Sequence, residues 1–310
     1  MDYLITLAIL IGLSVALASS FNLIIGYAGL VSIAHPVFYA IGAYVSALLA
    51  RDLGLPVPLA MLCGALAAAA ASAAVALPSL RVSGDYLLIA SIGFQLGVLE
   101  AIKNVPVTGG AGGLTNIPAF LVQDGGKGAY AALVVAFAAV TVWLNWTIAH
   151  GPYGRALSAM RDDETAFAGL GRNAVAMKVA VFAFGSGIAG LAGALYAHYF
   201  RFVTPEQFEI LQSAALLTMV VVGGVRTTWG PVLGAVLLQA LPQAITFVDL
   251  PPAILGPLQG LLFTGLVLVF MVLRPQGLIA AGDSWRPAKR FSVEGLSADG
   301  LSAEKRGEAR

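Results

Sequence analysis

Between Gly151 and Lys178 the chain reads GPYGRALSAMRDDETAFAGLGRNAVAMK, a polar stretch holding Arg155, Arg161, Asp162, Asp163, Glu164, Arg172 and Lys178. It has helical character, with Ala156, Met160, Phe167 and Leu170 as the apolar members of two short helical turns. Such a helix presents a narrow apolar patch flanked by charges, which suits a groove on another protein. Gly169 and Gly171 then end it and permit a sharp turn. The chemistry on offer is docking, not bond making. The alternative is an amphipathic helix lying on a membrane surface, but the run Asp162, Asp163, Glu164 would be repelled by an anionic leaflet.

Other chemistries find no support. No G-x-x-x-x-G-K-[ST] occurs, so ATP phosphates have no P-loop cradle. His35, His150 and His198 lie on separate segments without HExxH spacing, which argues against a metal site. Gly185, Ser186 and Gly187 sit in an apolar helical run, not on a strand-to-helix elbow, and with Gly190 and Gly193 they form a small-residue face for helix contact. The lone Cys63 reads as a small buried hydrophobe. No catalytic residue, metal or bound cofactor is expected, and a net charge of +1 argues against a nucleic-acid surface.

The elements that position the polar stretch are set by hydropathy. The chain is 59% hydrophobic and 11% charged with mean hydropathy +0.87, whereas a soluble domain carries about 25% charged residues. Apolar runs fall at about 4–25, 30–50, 57–77, 86–102, 130–149, 175–199, 212–225, 231–248 and 253–273. Each must be helical, because a bilayer core leaves backbone amides no water to bind. The expected fold is an all-α polytopic membrane protein of about 8–10 transmembrane helices, some broken. The first run lacks a basic n-region and reads as a span, not a removed signal peptide. A membrane domain over 1–281 is followed by a mixed-charge, disordered tail over 282–310.

Charge bias orients these spans. With the 151–178 segment inside, alternation places Arg81, Arg226, Arg274 and the tail inside too, against only Arg51, Lys103, Lys127 and Arg201 outside. Glu100 is the acid nearest mid-membrane, and Lys103 one turn on is positioned to pair with it.

Two of the runs are interrupted. GYAGLVSIAHPVFYAIGAY carries Gly26, Gly29, Pro36 and Gly42, and VVVGGVRTTWGPVLGAVLLQALP carries Gly223, Gly224, Gly230, Pro231 and Gly234. Proline removes a helical hydrogen bond and glycine weakens a helix, so paired breaks in the two halves point to a translocation pathway between them. Glycine also serves close helix packing alone. Asn22, Ser32, Gln95 and Gln212 are polar groups in or beside spans, able to line that pathway or simply to satisfy backbone groups at the breaks.

RALSAMRDDETAFAGLGRNAVAMKVAVFAFGSGIAGLAGALYAH resembles the cytoplasmic coupling loop and following span of permease subunits of bacterial ABC importers, in particular the branched-chain amino acid type. Glu164, Ala166 and Gly169 or Gly171 form a loose version of the Glu-Ala-Ala then Gly signature with which those permeases contact their ATPases. NLIIGYAGLVSIAHPVFYAIGAY, TGGAGGLTNIP at 108–118, VVVGGVRTTWGPVLGAVLLQALP and RPQGL at 274–278 extend the resemblance in order across 20–280. The chain is similar to the M-type of the two different permeases that pair in these importers.

That resemblance implies an ABC importer permease fold in the bacterial inner membrane, with the coupling loop and C-terminus cytoplasmic. It implies as partners a second, H-type permease, two ATPase subunits that use ATP and Mg, and a periplasmic binding protein delivering Leu, Ile or Val. Relatives of this type also carry urea, short amides or aromatic acids. Arg155, Arg161, Asp163 and Glu164 would fix the docking register, and Ala156, Met160, Phe167 and Leu170 would supply packing. TGGAGGLTN would be an external loop that shapes the mouth or meets the binding protein, or else a flexible turn. An ion-coupled carrier, the main rival, usually places an acid in mid-membrane, whereas the acids here cluster at span ends.

Overall fold

A computed structural model describes residues 2–79, 85–121, 126–244, 258–261, 264–265, 267–269 and 277–279. Arg81, Arg274, the tail 282–310 and most of the run 253–273 lie outside the described residues. The described helices are α1 Asp2–Asn22, α2 His35–Asp52, α3 Val57–Ser79, α4 Asp85–Asn104, α5 Lys127–His150, α6 Pro152–Asp162, α7 Glu164–Gly169, α8 Ala174–Phe200, α9 Ile210–Gly223 and α10 Gly230–Ala244. Five of them, α1 with its continuation to Tyr27, α3, α4, α5 and α8, are long and apolar enough to cross a membrane. The protein is an all-α, multi-pass membrane protein.

Two of the other runs are not simple crossings among the described residues. The second run is broken as expected: it stays non-helical from 28 to 34, and α2 starts only at His35, with Pro36 in its first turn. α9 has 14 residues, a rise of about 21 Å, short of the roughly 30 Å hydrocarbon core. A helix cut short by a glycine break cannot span alone.

α1 is the central helix. Every residue from Gly12 to Asn22 is buried, as expected of a helix apolar all round, and α5, α10, α9 and α8 pack against it. α8 joins α2 and α3 through small residues. A Cβ on Gly42 would run into the backbone of Gly190, one on Gly193 into the carbonyl of Tyr39, and one on Gly190 would lie 3.1 Å from Ala65 Cα. Outward positions of α3, α4 and α5, among them Leu62, Leu66, Ile89, Val140 and Trp143, are exposed. That is the lipid-facing pattern, since lipid does not penalise exposed apolar groups.

Ion pairs define one end of the bundle. Lys127 Nζ lies 2.7 Å from Asp2, and Lys103 Nζ lies 2.9 Å from Glu209. Lys103 therefore does not pair with Glu100, which instead accepts from Asn104 at 2.9 Å; the neighbouring element, not the helix turn, supplies the partner. At this end the glycine loop after α4 is also fastened. Gly109 and Gly113 hold φ of 79° and 77°, and Leu114 and Val203 exchange backbone hydrogen bonds of 2.8 and 3.0 Å. Buried His198 donates from Nδ1 to the Pro118 carbonyl (2.7 Å), which leaves Nε2 to accept from Ser46 Oγ (2.9 Å). These bonds tie the loop to α2 and to the end of α8.

Candidate functional site

At its far end, about 31 Å along 21 residues, α1 does not stop with a cap. It widens into a π turn over Leu23–Tyr27, a distortion frequent at functional sites. Asn22, 3% exposed, stands at the entrance. Its Nδ2 donates to the Thr227 carbonyl at 2.9 Å, and its Oδ1 accepts from Arg226 N–H at 3.0 Å. One amide thus binds the backbone of the second break. Approach is close enough that a Cβ on Gly26 would stand 2.9 Å from Arg226 N.

The second break closes on itself. Thr227 Oγ1 donates to Gly224 O (2.7 Å) and accepts from Gly230 N–H (3.1 Å). Gly224 has φ 122°, a conformation that favours glycine, and a side chain on Gly223 would run into the Gly230 backbone. Pro231 follows in the first turn of α10, where its missing N–H costs nothing. Gly277 packs beneath Gly224, while Leu278 N–H and Ile279 N–H donate to Val222 O (2.8 Å) and Gly223 O (3.1 Å). The described part of the RPQGL motif thereby satisfies carbonyls that the end of α9 would leave open.

The polar segment sits beside this junction. α6 buries Gly154, Leu157 and Met160, and α7 buries Phe167. Asp163 separates them and caps α7, its Oδ1 accepting from Ala166 N–H at 2.8 Å. Glu164 receives Lys178 Nζ on both carboxylate oxygens, at 2.7 and 2.8 Å, with the Lys178 side chain 7% exposed. Arg161 donates from Nη1 to the Gly26 carbonyl at 2.5 Å, its stem against Gly29. Burial, then nearby Arg161, push the Arg226 guanidinium below its ordinary value, with Asp162 and Tyr27 opposing.

These placements correct several expected roles. Met160 and Phe167 point into the chain's own core, so neither offers packing to a partner; a six-residue helix needs its one large apolar group to stay seated. Glu164, Asp163 and Arg161 each make a bond within the chain, an ion pair, a cap and a backbone bond, while all three remain exposed. Also exposed are Arg155, Asp162, Ala166, Gly169, Gly171, Arg172 and Leu170, the last 80% exposed, with Ala156 half-buried.

Among the pathway residues, Asn22, Gly26, Gly29, Gly223, Gly224, Gly230 and Pro231 gather at the junction. Ser32, Pro36 and Gln95 do not. Ser32 Oγ accepts from Ala34 N–H at 3.3 Å, and Gln95 joins α4 to the Phe208 carbonyl (3.1 Å) and Ser213 (2.8 Å). Both satisfy local polar groups. Arg226, Thr227 and Lys178 were absent from the expected site. Lys178 follows Glu164 by fourteen residues, beyond any helical register, so only folding reveals the pair. Alongside, α1, α5 and α10 frame an apolar lateral groove of about 790 Å³ lined by Trp143, Trp146 and Trp229.

A bundle of this kind, with two glycine breaks in contact, defines a multi-pass α-helical membrane protein with interrupted helices. The family described as branched-chain amino acid transport system / permease component matches residues 2–272, and the chain belongs to it. It is 29% identical over 303 residues to the high-affinity branched-chain amino acid transport system permease protein LivM of Escherichia coli, covering 89% of this chain and 69% of that one. The Salmonella typhimurium LivM is 30% identical over 86% of this chain and 67% of its own. The probable LivM of Methanocaldococcus jannaschii is 29% identical over 71% and 67%. No solved structure matches the chain.

Proposed function

We propose that this chain is the M-type permease subunit of an ATP-driven importer of branched-chain amino acids, Leu, Ile or Val. It works with a second, H-type permease, two ATPase subunits and an external binding protein. The observation that carries the reading is the meeting of the two breaks around Asn22: two interrupted helices, one from each half of the chain, share one backbone-bonded contact. Interrupted helices facing each other are where a pathway can open, because only there is the backbone free of a continuous helical ladder.

The second support is the α6–α7 knob. Leu170 is exposed, as are the charged Arg155, Asp162 and Arg172 of the same segment, which offers an apolar point and charges to an ATPase groove. In this reading the knob and the C-terminus lie on the cytoplasmic side, and ATP with Mg is consumed on the partner subunits. This chain binds no cofactor of its own. Two states follow from ATP binding, and the knob couples to them only if its ATPase contacts differ between them.

Reconstitution in vesicles tests the assignment. The full assembly is expected to accumulate labelled leucine only with ATP, with isoleucine and valine competing and urea not. Accumulation by this chain alone would make it a carrier. Competition by urea, short amides or aromatic acids, without valine, would reassign the substrate. Leu170→Asp is expected to release the ATPase subunits on copurification while the permease keeps its thermal midpoint, since exposed substitutions shift stability by about 0.5 kcal/mol or less.

A further inference from the structure

Arg161 is exposed on the knob, yet its side chain reaches back to the bundle. Its Nη1 donates to the Gly26 carbonyl at 2.5 Å, inside the π turn. Its stem lies where a side chain on residue 29 would be: a Cβ on Gly29 would come 2.5 Å from Arg161 Cγ, and Gly29 holds φ 70°. The break is therefore shaped to admit this arginine. At the entrance of the same turn, Asn22 bonds the backbone of Arg226 and Thr227. Three elements that are distant in sequence, the knob, the first break and the second break, meet within two side chains.

A guanidinium carries five N–H donors, and Arg161 places one of them on a carbonyl beside the bundle, where a charged donor makes a stronger hydrogen bond than a neutral one. The π turn offers a carbonyl whose own helical bonding is already distorted, so movement of α6 bears on the least regular backbone in α1. Arg226 lies close enough to Arg161 for their charges to oppose, with Asp162 acting against that repulsion at Arg226.

We propose that Arg161 is a positioning residue for transport, a strut carrying displacement of the knob into the first break, with Asn22 as the latch that hands it to the second. The proposal rests on the importer reading above and adds the route by which the knob acts. It moves Arg161 from the docking surface to the transmission.

The test uses the complete assembly in vesicles with labelled leucine. Arg161→Met retains an unbranched stem over Gly29 and removes the donors. The ATPase subunits are expected to copurify at wild-type yield and hydrolysis to persist, while the maximal uptake rate falls on the order of tenfold at an unaltered half-saturation concentration. Asn22→Leu, which leaves α6 and α7 untouched, is expected to show the same split. The double variant should be no worse than the worse single one, because both cut one linkage. Arg161→Lys restores a donor and is expected to recover part of the rate.

Loss of the ATPase subunits from Arg161→Met would return the residue to the docking surface and overturn the strut. Wild-type uptake in either single variant would overturn it as well. Should Arg161→Met fail to accumulate, Asn22→Leu decides by the same readouts. A wild-type assembly without ATP-dependent uptake would instead sink the importer reading, a failure seen in the control before any variant is compared.

Discussion

Glycine does opposite work in two regions of this bundle. Where α8 crosses α2 and α3, Gly42, Gly190 and Gly193 lie within unbroken helices, and their missing side chains let backbones touch. At the junction of α1 with the segment between α9 and α10, Gly26, Gly224 and Gly230 let the backbone leave or distort the helix, and side chains of Asn22, Thr227 and Arg161 take up the released polar groups. The first region is rigid by contact. The second is held by a few hydrogen bonds.

That contrast sets the order of expected effects. Gly193→Leu should be most damaging, because its Cβ meets the Tyr39 carbonyl on a neighbouring helix and neither backbone can yield; about 3 kcal/mol of destabilisation should appear as a collapsed thermal midpoint in detergent. A near-normal midpoint would break the distinction. Thr227→Val leaves Gly230 N–H buried without its acceptor, a cost of about 2 kcal/mol, and it should lower uptake more than its modest melting shift suggests.

Glu164→Gln sharpens the picture at the knob. Lys178 is buried but Glu164 is 47% exposed in its side chain, so solvent screening reduces the expected loss to about 1 kcal/mol. The effect should be confined to the α6–α7 region, read as faster amide exchange there with the α2–α3–α8 packing unaffected. Smallest of all is Gly97→Ala in α4. No atom approaches its Cβ position within 4 Å, and alanine favours a helix, so the midpoint should stay or rise by the equivalent of about 1 kcal/mol at most. A fall as large as that of Thr227→Val would mean that glycines of α4 serve a contact outside this chain.

Much of the fold was legible because membrane burial imposes a simple rule. Runs of apolar residues give helices, and the expected spans at 4–25, 57–77, 86–102, 130–149 and 175–199 coincide with α1, α3, α4, α5 and α8. The breaks were legible for the same reason: Gly26, Pro36, Gly224 and Pro231 violate the rule where nothing local compensates. The side-chain roles in 151–178 were not legible. Met160 and Phe167 have the spacing of an exposed apolar patch as readily as of a buried one, and a short amphipathic helix has no sequence mark saying which face meets its own core. Likewise the pairing of Lys103 with Glu209, not Glu100, depends on how α4 and α9 come to rest side by side.

Sequence alone determined that this protein crosses a membrane many times, that two of its spans are interrupted, and which family signature its polar segment resembles, because hydropathy and backbone permissiveness are properties of residues in order. Only the tertiary structure decided that the two interruptions touch, that one asparagine and one arginine hold them, and that Glu164 answers a lysine on the next long helix. Hydrogen bonds and ion pairs between distant elements reach only about 3 Å, and what comes within that reach is set by how the helices pack.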